Sequence, residues 1–129
     1  MIYLKLFENF KENEIDIIID ELKDLLYDIN DDGFDSRCSK FFTTKYSILV
    51  YIVPDFNNKI TNELVNNIFR IINYMNQIGY NLGSNEWFKN NLNNLRISQK
   101  KMDYKIISFE DLKSMIGLDF SSIELCFDN

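Results

Sequence analysis

The sequence predicts an α+β domain in which two main helices cover one face of an antiparallel sheet. Three observations carry this expectation. Two segments place apolar residues at three- and four-residue steps and end at a glycine, each is followed by an aromatic that opens an extended run, and the strand-like runs are rich in β-branched and aromatic residues. A chain of 129 residues with 46% apolar and 15% aromatic content can bury a core without metal or disulfide staples, so a single domain over 1–129 is expected.

Taken in order, the first helix is predicted over 13–31, where Ile15, Ile18, Ile19, Leu22, Leu25, Leu26 and Ile29 form the stripe. Asn13 is the expected N-cap, Asp16 suits the first turn, and Gly33 can take the left-handed conformation that closes a helix. Residues 34–42 read as a weak strand. Residues 46–53, closed by Pro54, read as a central one, with the longest apolar run of the chain at 48–54. A second helix is predicted over 60–77, with Ile60, Leu64, Ile68, Ile71, Met75 and Ile78 on one face, Asn58 or Thr61 as cap and Gly79 as stop.

Residues 81–103 are Asn- and Lys-rich and read as an exposed insertion, with one helical turn around 87–95. A short strand is expected at 104–107. Ser108-Phe109-Glu110-Asp111 has the Ser-x-x-acid start of a short helix near the C-terminus, with Leu112, Met115 and Ile116 buried and Gly117 as its end. Residues 122–127 alternate Ile123, Leu125 and Phe127 against Ser122, Glu124 and Cys126, as a half-buried last strand does. The resulting αββαββ order resembles a ferredoxin-like arrangement opened at a shifted point in the chain, with a less regular α+β sandwich as the alternative.

Composition narrows the chemistry. The chain contains no His, which removes the commonest general base and any His-dependent triad or metal site, and it carries no phosphate-binding glycine loop, GxSxG or cysteine cluster. An enzyme is not expected. Cys38 and Cys126 stand far apart and in no CxxC pair, consistent with reduced thiols in a cytoplasmic chain, although spacing alone leaves a disulfide open. The N-terminus lacks the basic, apolar and small-residue regions of a secretory signal, and no membrane association is expected.

The net charge of -6 disfavours a general nucleic-acid binder. Its distribution is uneven: acids dominate 8–35, whereas 89–105 is basic. The outer face of the first helix, with Asp16, Asp20, Glu21 and Asp24, can imitate a row of phosphates and occupy a basic groove on a protein partner, or it can simply be a solvated face. The basic segment offers Trp87, Arg96, Lys100 and Lys101 to single-stranded nucleic acid, by stacking and charge. Asp28-Ile29-Asn30-Asp31-Asp32-Gly33 matches the first half of an EF-hand loop, which nominates Asp28, Asn30 and Asp32 as calcium ligands, but position twelve is Ser39 instead of a bidentate Glu. With helices on one face, the open face of the sheet is a surface on which a homodimer could form.

The opening Leu4-Lys5-Leu6-Phe7-Glu8-Asn9-Phe10 resembles a leader found on small proteins of tailed phages with AT-rich genomes, and the Ile-, Asn- and Lys-rich composition fits such a source. The resemblance covers about ten residues of a leader-like segment at 1–12. It implies phage origin and packaging into the virion, with trimming after an apolar-x-Glu signal such as Leu6-Phe7-Glu8; it carries no active-site residue. Leu4, Phe7 and Phe10 also share one helical face, so a short helix docking on the domain explains the same residues. The expectation is therefore a non-catalytic, phage-encoded interaction protein with a viral or host protein partner, in the host cytoplasm or the virion. Single-stranded nucleic-acid binding and calcium binding are the alternatives.

Overall fold

The computed structural model describes residues 2–42, 46–83, 94–100 and 103–128, without the side chains of residues 2–13, 41, 42 and 46. Along the chain the elements are α1 (Ile2–Asp31), β1 (Phe34–Phe42), β2 (Tyr46–Pro54), α2 (Asn62–Gln77), β3 (Asn81–Leu82), β4 (Asn94–Ser98), β5 (Tyr104–Ser108), α3 (Phe109–Lys113) and β6 (Ser122–Asp128). Every strand pairing is antiparallel, in the order β1-β2-β6-β4-β5, with β3 also on β6.

One face of the sheet is apolar because the period of two places Ile48, Val50 and Ile52 of β2 in register with Phe127, Leu125 and Ile123 of β6. Leu95 and Ile97 of β4 and Leu82 of β3 extend this face. Onto it pack the predicted stripes of both helices, Ile15, Ile18, Ile19, Leu22, Leu26 and Ile29 from α1 and Leu64, Ile68, Ile71 and Met75 from α2, the second widened by Val65 and Ile72, which the predicted stripe does not include. Of the predicted α2 stripe, Ile78 is exposed and Ile60 is buried just ahead of the helix, which starts where the Thr61 hydroxyl caps Leu64 N–H at 3.1 Å.

Four expectations are corrected. Helix α1 is continuous from Ile2, so Asn13 lies inside it instead of at its start, and the leader-like segment from Ile2 on is backbone of the same helix. No Pro or Gly interrupts residues 2–13, and each of the two Asn there, Asn9 and Asn13, costs only about half a kcal/mol of helix propensity. The final strand is not half-buried: Ser122, Cys126 and Asp128, on the face away from the helices, are buried as well as the apolar set.

The third correction concerns 81–103, both ends of which belong to the sheet. Gly83 N–H donates to the Cys126 carbonyl at 2.8 Å, and the β4 register carried back from Arg96↔Glu124 places Asn94 opposite the same residue. Strands β3 and β4 are thus two ends of one strand position, while residues 84–93, and with them most of the helical turn expected at 87–95, lie outside the described residues. Fourth, the predicted strand at 104–107 is the outermost strand β5, one place farther from β6 than expected. With β3 and β4 counted together, β1-β2-β6-β3/β4 is the order of a ferredoxin-like sheet opened at a shifted point, and β5 is added at its edge.

Local signals at the ends of helices hold. Ser108 and Asp111 form the reciprocal capping box of α3. Gly33 closes α1 at φ +103° and its carbonyl accepts from both Asp55 N–H (3.1 Å) and Asn57 N–H (3.0 Å), which draws the loop after β2 over the turn. A Cβ on Gly33 would stand 2.8 Å from Asn57 Cβ and 2.8 Å from the Phe56 ring, whereas one on Gly117, also at positive φ, meets nothing within 4 Å. Gly33→Ala is expected to cost about 2–4 kcal/mol and Gly117→Ala only about 1–2 kcal/mol, since both incur backbone strain but only the first adds a collision. Urea unfolding of the two variants measures the difference.

Candidate interaction surface on the first helix and the adjoining cleft

Once the apolar stripe of α1 fixes which side faces the sheet, 100° per residue sorts its acids into two groups. Asp16 and Asp20 lie on the flank above β1. There Asp16 is held by Lys40 at 2.7 Å and Asp20 by Lys23 at 3.6 Å. Glu21, Asp24 and Asp31 lie on the crest and on the flank toward α2, exposed, and make no ion pair among the described residues. The four acids nominated from sequence therefore divide: two are engaged within the chain, and two have no ion-pair partner among the described residues.

The free acids lead into a cleft of about 410 Å³ between the C-terminal turns of α1 and the first turns of α2, lined by Asp28, Asp31, Asp32, Glu63, Asn66, Asn67 and Arg70. Arg70 bonds Asp28 at 3.0 Å, and Asn67 donates to Asp32 at 3.4 Å. These are exposed contacts, worth about 0.2–1 kcal/mol each, so they orient the side chains more than they stabilise the fold. One guanidinium among four carboxylates leaves the cleft negative. Glu63 was not nominated from sequence; its acid in the first turn of a helix was visible, but its place across from Asp31 depends on how the helices pack.

The structure does not bring the three nominated calcium ligands together. Asp28, Asn30 and Asp31 are helical, and Asp28 and Asp32 face α2 while Asn30 turns to β1, where its Oδ1 accepts from Ser36 N–H at 2.7 Å. Ligands one, three and five of a calcium loop must converge on one ion, and a helix sends alternate residues to opposite sides. Among the described residues no group of three or more Cys, Asp or Glu is placed to hold a metal ion.

The basic segment is also not a free cationic surface where it is described. Arg96 lies on the face of the sheet away from the helices, half-buried, 3.7 Å from Glu124 and stacked 3.9 Å from the Tyr104 ring centroid. Lys100 is exposed, and Trp87 and Lys101 lie outside the described residues. The register aligns Arg37, Tyr51, Glu124, Arg96 and Ile106 in one row across this face, mixing charge with exposed apolar surface. No described helix is long and apolar enough to cross a membrane.

Cys38 is on the helix-covered face of β1 and Cys126 on the opposite face of β6, with β2 between them. Two strand spacings, about 10 Å, and opposite faces rule out a disulfide joining them in this fold. Burial raises the Cys38 thiol above its ordinary 9.0, with Lys23 lowering it and Asp20 raising it to lesser degrees. Burial likewise raises the Tyr80 phenol above 10.0, helped by the Glu14 carboxylate.

Compared with family models, curated proteins and solved structures, the chain matches none. The site is thus read from its own geometry. For Cys38 and Tyr80 the neutral form is favoured in the fold, so their contribution to stability is present in full below pH 9.0 and is lost as pH rises past 9.0 and then 10.0. Stability is expected to fall across that alkaline range in the wild type and to fall less in Cys38→Ser/Tyr80→Phe, measured by denaturant unfolding at a series of pH values.

Proposed function

We propose that this chain is a non-catalytic, phage-encoded interaction protein that engages a protein partner bearing a basic groove, through the crest of α1 and the cleft beside it. The observation that carries this is the row of exposed carboxylates, Glu21, Asp24 and Asp31, which make no ion pair among the described residues and open into a cleft lined by Asp28, Asp32 and Glu63. A helix presenting acids at such steps is rigid before it binds, so little ordering entropy is lost on docking, and its field speeds encounter with a cationic partner at low salt. The absence of His supports a binding role over a catalytic one.

Phage origin and delivery in the virion rest on the resemblance of Leu4–Phe10 to phage leaders, and host cytoplasm is the alternative place of action. A homodimer through the open face is the second reading, favoured by exposed Tyr51, Tyr104 and Ile106 on that face. Single-stranded nucleic acid is disfavoured there because Glu124 already neutralises Arg96.

The test is affinity capture from infected host cells with the wild type and with Glu21→Lys/Asp24→Lys/Asp31→Lys. A partner held by the wild type should bind the reversed variant roughly tenfold more weakly, because several exposed charges at a few tenths to one kcal/mol each sum to about that factor. The same partner should still bind Tyr51→Ala/Tyr104→Ala. Loss on the open-face variant with retention on the charge-reversed one would move the interface to the sheet. Mass spectrometry of purified virions is expected to find the protein; its absence there removes packaging and leaves the acidic surface untouched.

A further inference from the structure

Two large apolar side chains stand in water on the described part of α1: Ile17, 59% exposed, and Tyr27, 68% exposed. The stripe from Ile15 to Ile29 covers the inner face of the helix without them. At 100° per residue both fall on the crest, in the same band as Asp24 and Asp31. Ile17, Asp24, Tyr27 and Asp31 follow one another at steps of seven, three and four residues, the spacing by which one face of a helix lies in a groove. Glu21 flanks this line toward α2, and Asp20 flanks it toward β1.

A single exposed apolar residue is ordinary on any surface. Here two share one line with Asp24 and Asp31, acids that make no ion pair among the described residues. A surface that reads only charge gains nothing from Ile or Tyr at these positions, since each holds apolar area in water and attracts no cation. A protein interface does gain. An Ile or Tyr that enters a socket on the partner sheds water over most of its surface, and the charged pairs around it form the polar rim.

We propose that the partner surface carries two apolar sockets about 15 Å apart, the rise of ten helical residues, with Lys or Arg between them, and that Ile17 and Tyr27 enter those sockets while Asp24 and its neighbours meet the cations. This rests on the acidic-crest reading above and adds what charge alone leaves open, the position of the partner along the helix. Acids repeat at nearly every turn of the crest, so a purely cationic groove fits at several offsets. A slide of one turn, about 5.4 Å, keeps acids opposite cations but takes both anchors out of their sockets.

The probe is a synthetic Lys- and Ala-rich helical peptide, one wall of such a groove, bearing two leucines spaced as Ile17 and Tyr27 are. An isomer of the same composition carries its leucines on opposite faces, and polylysine carries none. Fluorescence anisotropy over a series of salt concentrations reads binding to the full chain. The wild type is expected to bind the spaced peptide about tenfold more tightly than the isomer or polylysine. Ile17→Ala/Tyr27→Ala should lose that preference and keep the salt dependence of the wild type. Both side chains are exposed and alanine is the better helix former, so this variant keeps its fold, which circular dichroism checks. Equal binding of the two isomers by the wild type, or a preference that survives Ile17→Ala/Tyr27→Ala, overturns the anchors and leaves the acidic crest standing. Undiminished binding of polylysine by Glu21→Lys/Asp24→Lys/Asp31→Lys overturns crest and anchors together, as does the absence of binding to every peptide at low salt.

Discussion

The turn at Gly33 is the constraint on which the other features depend. Here a thirty-residue helix reverses into an edge strand within two residues, possible because glycine accepts φ +103° without a Cβ to collide with Phe56 and Asn57. The Gly33 carbonyl then takes two N–H groups from the loop that leads to α2. One small residue therefore sets the angle of α1 over β1, brings the start of α2 beside the end of α1, and so forms the walls of the acidic cleft. The same turn places Asn30 within reach of Ser36.

Charge in this protein is sorted by packing. Asp16 and Asp20 belong to the same acidic helix as Glu21 and Asp24, yet the first two lean toward β1 and its side of the helix, where Lys40 and Lys23 meet them, and the second two do not. Arg96 looks from composition like part of a cationic patch, but the register puts Glu124 next to it on β6 and Tyr104 beneath it from β5. Of the acids on α1, those in no ion pair among the described residues lie on its crest and on the flank toward α2, and that charge motivates the functional proposal.

The sheet also shows how an α+β chain handles its edges. The only proline, Pro54, sits at the last position of β2, where the β2–β6 register has run past the start of β6 and no donor is needed there. Strand β5 is short and carries Lys105 among exposed neighbours.

The sequence by itself determined what depends on neighbours within a few residues: the apolar stripes of α1 and α2, the stops at Gly33 and Gly79, the capping box of Ser108 and Asp111, and the lack of imidazole chemistry. Periodicity, caps and left-handed glycines act through contacts of at most four or five residues, so they are visible in any window that contains them. Only the tertiary structure decided that β3 and β4 share one strand position, that β5 lies at the edge, that Asn30 accepts from Ser36, and which acids of α1 meet a cation among the described residues. Each of these turns on a partner that the chain brings back from farther along, such as Cys126 for Gly83, Glu124 for Arg96 and Lys40 for Asp16, and the register that selects such partners is set by burial of the whole apolar face at once.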